Sequence, residues 1–287
     1  MIPDVDNDSI VYINGQYVRL GDATISVLDR GFIFGDGIYE VVPAYNGKPF
    51  RMDEHLARLQ RSLGAIGIQT GRSTADWKNL VQDMLRRSGL GDCMVYLQVT
   101  RGVAKRDHGF PKHCEPTVFC MVSPFKRPDA KAREEGLTAI SVPDVRWLHC
   151  EIKSVSLLGN VLAKQQAVDA GVDEVVQFRD GNLSEGASCN IWVAKDGVLL
   201  APVRNNLILE GIRYAFLEDL AAKAGVAFQS RVITKQEVAQ ADELMMTSAT
   251  KEVLPITTYD GKPVGTGRPG PVYAKLRAGY DQAIAAL

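Results

Sequence analysis

Four two-residue turn signals cut this chain into hairpins, and they constrain its fold more than any other feature. Asn14-Gly15 separates SIVYI from QYVRL, and Asn46-Gly47 separates YEVVPAY from KPFRM. Asp196-Gly197 separates NIWVAK from VLLAP, and Asp260-Gly261 separates PITTY from KPV. Each dipeptide suits the positive φ angles that a type I′ turn demands between two twisted strands. Hairpins join antiparallel neighbours, so the sheets are expected to be largely antiparallel rather than doubly wound and parallel. MVYLQVT, TVFCMVS, EVVQF and ELMMTS read as further apolar strands.

Helical patterns lie between the hairpins. In DEHLARLQRSLGAIGI, residues Leu56, Leu59, Leu63 and Ile66 form one apolar stripe, with Asp53 placed to cap the helix. A second helix is predicted from about Leu157, closed by Gly171, and a third in GIRYAFLEDLAAKAG, closed by Gly225. The polar run KRPDAKAREEG, Lys126 to Gly136, is the best boundary. It divides the chain into a smaller α+β domain, residues 1–125, and a larger domain, residues 126–287.

The bulk composition excludes several classes of function. With 46% hydrophobic and 23% charged residues the chain has the ordinary mix of a soluble globular protein. A net charge of −1 leaves no basic field for nucleic acid or a membrane surface, so any anion must be held by a local site. There is no apolar run of about 18 residues, and the opening MIPDVDNDSIVYI has no apolar core fit for a signal peptide. The cytoplasm is the expected location. The five cysteines form no CxxC pair and read as reduced thiols. The four histidines stand in no metal-site spacing, so no metal is expected.

Several motifs bear on chemistry. GTGRPG, Gly265 to Gly270, matches GxGxxG but follows a hairpin, contains Pro269 and has too little chain after it for a dinucleotide fold. Gly31, Gly35 and Gly37 in DRGFIFGDGIYE mean either close backbone approach to a ligand or tight turns; spacing does not choose. Lys153, in RWLHCEIKS, is hemmed by Trp147, Leu148 and Ile152. Either its stem lies on apolar surface while the ammonium reaches water, or the amine is there for chemistry. Glu185, in LSEGASCN, sits among small residues that would let a flat ligand pack closely, although a lone loop acid is ordinarily solvated. Arg106 and His108, in RGVAKRDHGFP, lie in a loop after a strong strand, where binding residues collect, though a surface basic loop would read the same. Arg58 falls on the polar side of its helix with Arg61, the ordinary place for a solvated side chain.

Taken together, DRGFIFGDGIYEVV, the EHLARL helix, YLQVTRG with RDHGFP, RWLHCEIKSVSLLGNVLAKQQA and LSEGASCNIW resemble the fold-type IV pyridoxal-phosphate enzymes in order and content. Among these the closest resemblance is to bacterial D-amino-acid aminotransferases, and it covers nearly the whole chain. The resemblance implies a two-domain α+β fold with pyridoxal 5′-phosphate as cofactor and the cofactor lysine in the larger domain. Lys153 would be the Schiff-base lysine and general acid/base. Glu185 would face the pyridine nitrogen, and Arg58 would grip the phosphate. Backbone amides near Ile212, Ser248 and Ala249 would complete the phosphate cup, with Leu209 supporting the ring face. Tyr39, Arg106 and His108 would hold the substrate carboxylate. The chain departs from the D-type pattern at two places. Arg213-Tyr214 stands where the family has Thr-Arg, and Ala249 where it has threonine, so two hydroxyl donors to the phosphate are missing. Arg213 offers a charge in their place.

The chemistry gives these residue types a reason. Breaking a bond at Cα leaves electrons that must flow into the cofactor ring, and an anionic Glu185 would keep the ring nitrogen protonated. Lys153 must act as a free amine, which its apolar flank would favour. A carboxylate held by Arg106 and His108 would present the hydrogen of a D-amino acid to the lysine; a carboxylate held on the other side would present an L-amino acid. The resemblance thus implies transfer of the amino group of a D-alanine-type amino acid to a 2-oxo acid, by a homodimer. An L-branched-chain aminotransferase or an aminodeoxychorismate lyase-like enzyme of the same fold is the alternative.

Overall fold

A computed structural model describes residues 5–287 and divides the chain into two compact units. Residues 1–4, on which the reading of the opening segment partly rests, lie outside the described residues. The first unit holds residues up to Lys126 together with Ile152–Leu157, and the second holds Arg127–Glu151 and Leu158–Leu287. A single cut at residue 125 counts Lys153 with the larger domain. In the structure its segment packs with the first unit, because residues 153–155 lace onto a strand of that unit's sheet.

The first unit is a six-stranded sheet built from β1 (Ile10–Ile13), β2 (Gln16–Arg19), β3 (Gly37–Tyr45), β4 (Lys48–Pro49), β5 (Cys93–Thr100) and β6 (Thr117–Pro124). The order is β2-β1-β6-β5-β3-β4, and every pairing is antiparallel. Alternation along β3 and β5 buries Ile38, Val42, Val95, Leu97 and Val99 on one face. There α2 (Met52–Ala65) and α3 (Thr74–Ser88) pack against them through Leu56, Leu59, Leu63, Trp77 and Met84. The opposite face carries the half-buried row Tyr39, Tyr96 and Phe119. The short α1 (Arg30–Phe34) precedes β3 and ends at Gly35, whose φ of 68° favours glycine. A Cβ at Gly35 would collide with the Ser156 hydroxyl, and one at Gly31 would collide with Thr100. The glycine-rich motif is therefore turn and close packing.

The second unit is a nine-stranded sheet. Its strands are β7 (Leu137–Pro143), β8 (Glu174–Arg179), β9 (Asn182–Leu183), β10 (Asn190–Lys195), β11 (Val198–Ala201), β12 (Ala227–Ser230), β13 (Glu243–Ser248), β14 (Glu252–Tyr259) and β15 (Lys262–Pro263). The main path is β12-β11-β10-β13-β14-β7-β8-β9, with β15 on β14. Three pairings are parallel, β11 with β12, β14 with β7 and β7 with β8, and the others are antiparallel. The helices of this unit are α4 (Ala130–Glu134), α5 (Leu158–Asp169), α6 (Ile212–Lys223), α7 (Lys235–Ala239) and α8 (Pro271–Ala285). The α5 helix buries only the small Ala163 and Ala167, against Val142, Val175 and Ala187.

All four turn dipeptides are hairpins with both residues at positive φ, from Asn14 at 47° to Asp260 at 49° and their glycines. The α2 helix begins differently from its sequence expectation. Arg51, at φ 57°, occupies the N-cap, and Asp53 lies inside the first turn, where it still meets the positive end of the helix.

Candidate active site

In the first unit, the residues around Lys153 are stitched to β3 by its backbone. The Tyr39 N–H donates to the Lys153 carbonyl at 2.9 Å, and the Val155 N–H donates to the Gly37 carbonyl at 3.0 Å. The Lys153 N–H reaches the Ser62 hydroxyl on α2 at 3.3 Å. A side chain so anchored emerges at a fixed point, and the Lys153 Nζ stands 4.2 Å from the centroid of the Tyr39 ring. Lys153 is half-buried. Its expected apolar hem is only partly present. Ile152 packs on the core of the first unit, whereas Trp147 and Leu148 are exposed. Burial pushes the neighbouring Tyr96 hydroxyl up to about 12, so it remains a neutral donor, bonded to Gln98 at 2.7 Å.

Arg58 is not solvated. It lies with His55 and Ser62 on the edge of the α2 stripe and is only 5% exposed. Its Nε and Nη2 donate to the two oxygens of Glu40 at 2.7 and 2.9 Å, and His55 Nδ1 meets Glu40 at 2.8 Å. Burial works to raise the pKa of Glu40, but the Arg58 guanidinium and the His55 ring outweigh it and hold the carboxyl well below the usual range. A bidentate clamp of this kind fixes the plane of the guanidinium.

Arg106 and His108 are exposed, on the loop after β5. Each lies near the same aromatic ring: the Phe34 centroid is 5.4 Å from the Arg106 guanidinium and 5.4 Å from the His108 ring centroid.

In the second unit Glu185 is buried, and three groups donate to it. They are Arg146 Nη1, the Leu209 N–H at 2.9 Å and Asn190 Nδ2 at 3.4 Å. Arg146 is itself gripped by Asp144, through Nε at 2.9 Å and Nη2 at 2.8 Å, and Arg179 closes the cluster on Asp144 at 3.0 Å. Burial raises the pKa of Glu185, the Arg146 charge opposes it without winning, and Asp144 adds to the rise. Leu209 meets Glu185 through its backbone N–H. The α6 helix starts at Ile212 behind Gly211, and no side chain caps it. Its first N–H groups are donors with the positive end of a helix behind them. At the end of β13, Ser248 and Ala249 are half-buried. Arg213, expected to offer a charge, is instead 2% exposed and spent on structure: it donates to the Tyr280 hydroxyl at 2.8 Å and to the Ala249 carbonyl at 3.0 Å. It ties the first turn of α6 to the 248–250 turn.

The structure thus brings together Lys153 with Tyr39, Arg106 with His108, Glu185 with Leu209, and the α6 start with Ala249. Sequence reasoning missed Arg146, Asp144, Glu40 and His55. Nothing in DVR or GIYE marks a buried ion pair, because the partner comes from a distant strand or helix.

The model of the class IV amino-transferases matches residues 37–259. This chain belongs to that family, the fold-type IV aminotransferases, which work with pyridoxal 5′-phosphate. Among curated proteins it is 38% identical to the D-alanine aminotransferase of Bacillus licheniformis, over 96% of both chains. It is also 38% identical to that of Staphylococcus haemolyticus, over 96% of this chain and 97% of the relative. Among solved structures it superposes on a T.th. branched-chain amino acid aminotransferase with pyridoxamine 5′-phosphate, with a TM-score of 0.92, 25% identity and coverage of 97% and 95%. The branched-chain enzyme of Escherichia coli gives a TM-score of 0.91 at 25% identity, covering 96% and 94%.

The donor sets fit the cofactor. Glu185 is a buried carboxylate whose positive partner is shared with Asp144, so one more cationic N–H, such as a protonated pyridine nitrogen, would complete its compensation. The uncapped start of α6 fits a phosphate. The anchored Lys153 amine fits an aldehyde. No described helix is long and apolar enough to cross a membrane.

Proposed function

We propose that the chain transfers the amino group of a D-amino acid of the D-alanine type to a 2-oxo acid. When bound, pyridoxal phosphate supplies the electron sink for the bond broken at the substrate Cα. Lys153 holds the cofactor through its amine and, once released, moves the Cα proton. Its backbone bonds to Tyr39 and Ser62 fix the point from which the side chain starts. Glu185 holds the proton of the pyridine nitrogen, and the Arg146 charge works against the burial that raises the Glu185 pKa. Arg58, the α6 amides at Ile212, and Ser248 with Ala249 hold the phosphate, and Leu209 supports the ring. Tyr39, Arg106 and His108 hold the substrate carboxylate, and that choice of side selects the D-enantiomer.

The observation that carries this reading is the pair Arg106 and His108 over Phe34, in a chain whose curated relatives are D-alanine aminotransferases over nearly their full length. The second reading is an L-branched-chain aminotransferase, which the solved neighbours favour. The two are separated by one experiment. Purified protein loaded with pyridoxal phosphate is given D-alanine, then L-leucine, and the cofactor absorbance is followed. D-alanine converts the cofactor to its amino form, and 2-oxoglutarate restores it. Conversion by L-leucine alone overturns the D-assignment.

A cytoplasmic homodimer completes the proposal. Five thiols without disulfides suit a reducing compartment. Leu158, Val161, Leu162 and Val168 of α5 are all more than half exposed, an apolar face suited to a second copy of the chain.

A further inference from the structure

We propose that Arg30 is the positioning residue for the substrate-carboxylate loop, fixing where Arg106 and His108 stand and thereby the preference for one enantiomer. The inference rests on the reading of those two residues as the carboxylate site.

Residues 105–110 are exposed and form neither helix nor strand, so no ladder holds them in place. Their backbone is held from below instead. The buried Arg30 donates from Nη1 to the Asp107 carbonyl at 2.5 Å and from Nη2 to the His108 carbonyl at 3.3 Å. Its third nitrogen, Nε, is bound to Asp36 at 2.8 Å. Asp36 is in turn clamped by Arg101 at 2.8 and 3.0 Å, and Arg101 reaches the Ile66 carbonyl on the far side at 2.7 Å. The Arg101 guanidinium also lies 3.6 Å from the Phe110 ring centroid, which pins the far end of the same loop. Backbone bonds repeat the tie: the Arg30 N–H donates to the Gly102 carbonyl and the Ala104 N–H to the Leu28 carbonyl.

A planar guanidinium presents its donors at fixed angles, so two successive carbonyls bound to one Arg30 leave the two peptides that flank the His108 Cα little rotation. Those peptides fix where the His108 side chain leaves the backbone. The same Arg30 lies 4.8 Å from the Phe34 ring centroid, the ring on which Arg106 and His108 also rest. One buried cation thus sets both the backbone of the trap and the surface its side chains lie on. Arg30 touches no reacting group. It acts through the loop, and a displacement of about 1 Å there is enough to change rates by about a hundredfold.

The test uses the loaded enzyme and the variants Arg30→Lys and Phe34→Leu. Arg30→Lys keeps a charge for Asp36 but cannot hold both carbonyls. We expect KM for D-alanine to rise by about tenfold or more, kcat to fall less, and the ratio of D- to L-alanine turnover to drop by about tenfold. Hydrogen exchange at residues 105–110 rises, while cofactor affinity and absorbance stay those of the wild type. Phe34→Leu, which buries no charge and so avoids a folding failure, raises KM for D-alanine by about threefold or more. In an Arg106→Gln background Arg30→Lys adds no further loss of D-alanine affinity, which a merely structural role would not produce. The proposal is overturned if Arg30→Lys and Phe34→Leu keep the wild-type KM and enantiomer ratio, or if their losses add fully to that of Arg106→Gln. A wild-type enzyme inert toward D-alanine would instead refute the carboxylate-site reading itself.

Discussion

Glu40 in the first unit and Glu185 in the second are both buried carboxylates that meet an arginine and a second side-chain partner. Their ionisation is pushed in opposite directions. Glu40 receives two nitrogens of Arg58 and the ring of His55. Glu185 receives one nitrogen of Arg146, which spends two others on Asp144. Desolvation is the largest influence on both. What decides the sign is how much positive charge reaches the carboxylate after its arginine has served other partners. Glu40 is a finished ion pair that locks a side chain in place. Glu185 is an unfinished one, and an unfinished anion has an opening for a cationic ligand.

The largest expected effect tests that opening. Glu185→Gln should lower turnover by on the order of a hundred- to a thousandfold, as loss of a preorganised electrostatic partner does, and excess pyridoxal phosphate should not restore it. Glu40→Gln should act through Arg58 on cofactor affinity, so that saturating cofactor recovers most of its turnover. Steady-state kinetics across a cofactor titration separates the two. Equal, unrecoverable losses would erase the distinction drawn between the glutamates.

Stability should separate the arginines next. Arg58→Met strands Glu40 as a buried anion with only His55 beside it, at a cost of about 3–5 kcal/mol. Arg146→Met should cost less, about 1–3 kcal/mol. Glu185 is already inclined to take up a proton, and Asp144 keeps Arg179. Urea unfolding of the apoprotein at pH 7 measures both. A larger loss for Arg146→Met would mean that the cluster around Asp144, rather than the one around Glu40, is the structural anchor.

These clusters also mark where the sequence stops being readable. Asn14-Gly15 and its three counterparts are legible because a backbone with two successive positive φ angles admits few residue types. Lys153, Glu185, Arg106 and His108 become candidates only through the motifs that surround them. The parallel pairings of β7 with β8 and β14 leave no such mark, since nothing local joins the strands. Arg58 misled because helical periodicity weighs a side chain by its type. An arginine beside an apolar stripe reads as solvated until Glu40 arrives from β3, on a residue whose own neighbours in the chain give no hint of it. Arg30 is hidden for the same reason. Its partners Asp107 and His108 offer carbonyl oxygens, which every residue possesses.

The smallest effect is the most direct measure of the opposed signs, and it needs no cofactor. Glu40 has a folded-state pKa below the ordinary glutamate value of 4.5, so the unfolded chain takes up its proton first as pH falls. The stability it contributes is present above pH 4.5 and is lost as the pH drops toward the folded value. Glu185 has a folded-state pKa above 4.5, so the native protein holds that proton more tightly than the unfolded chain. Its contribution is present below 4.5 and is lost as pH rises through the folded value. The urea midpoint of the apoprotein should therefore climb with pH on the acid side and sag above it. Glu40→Gln reduces the climb and leaves the part carried by Asp36 and Asp144, whose carboxyls are also held low. Glu185→Gln removes the sag, although it makes the poorer enzyme. If Glu185→Gln flattened the acid limb instead, Arg146 would have to be holding Glu185 as firmly as Arg58 holds Glu40, and there would be no place left at that carboxylate for a ring nitrogen to fill.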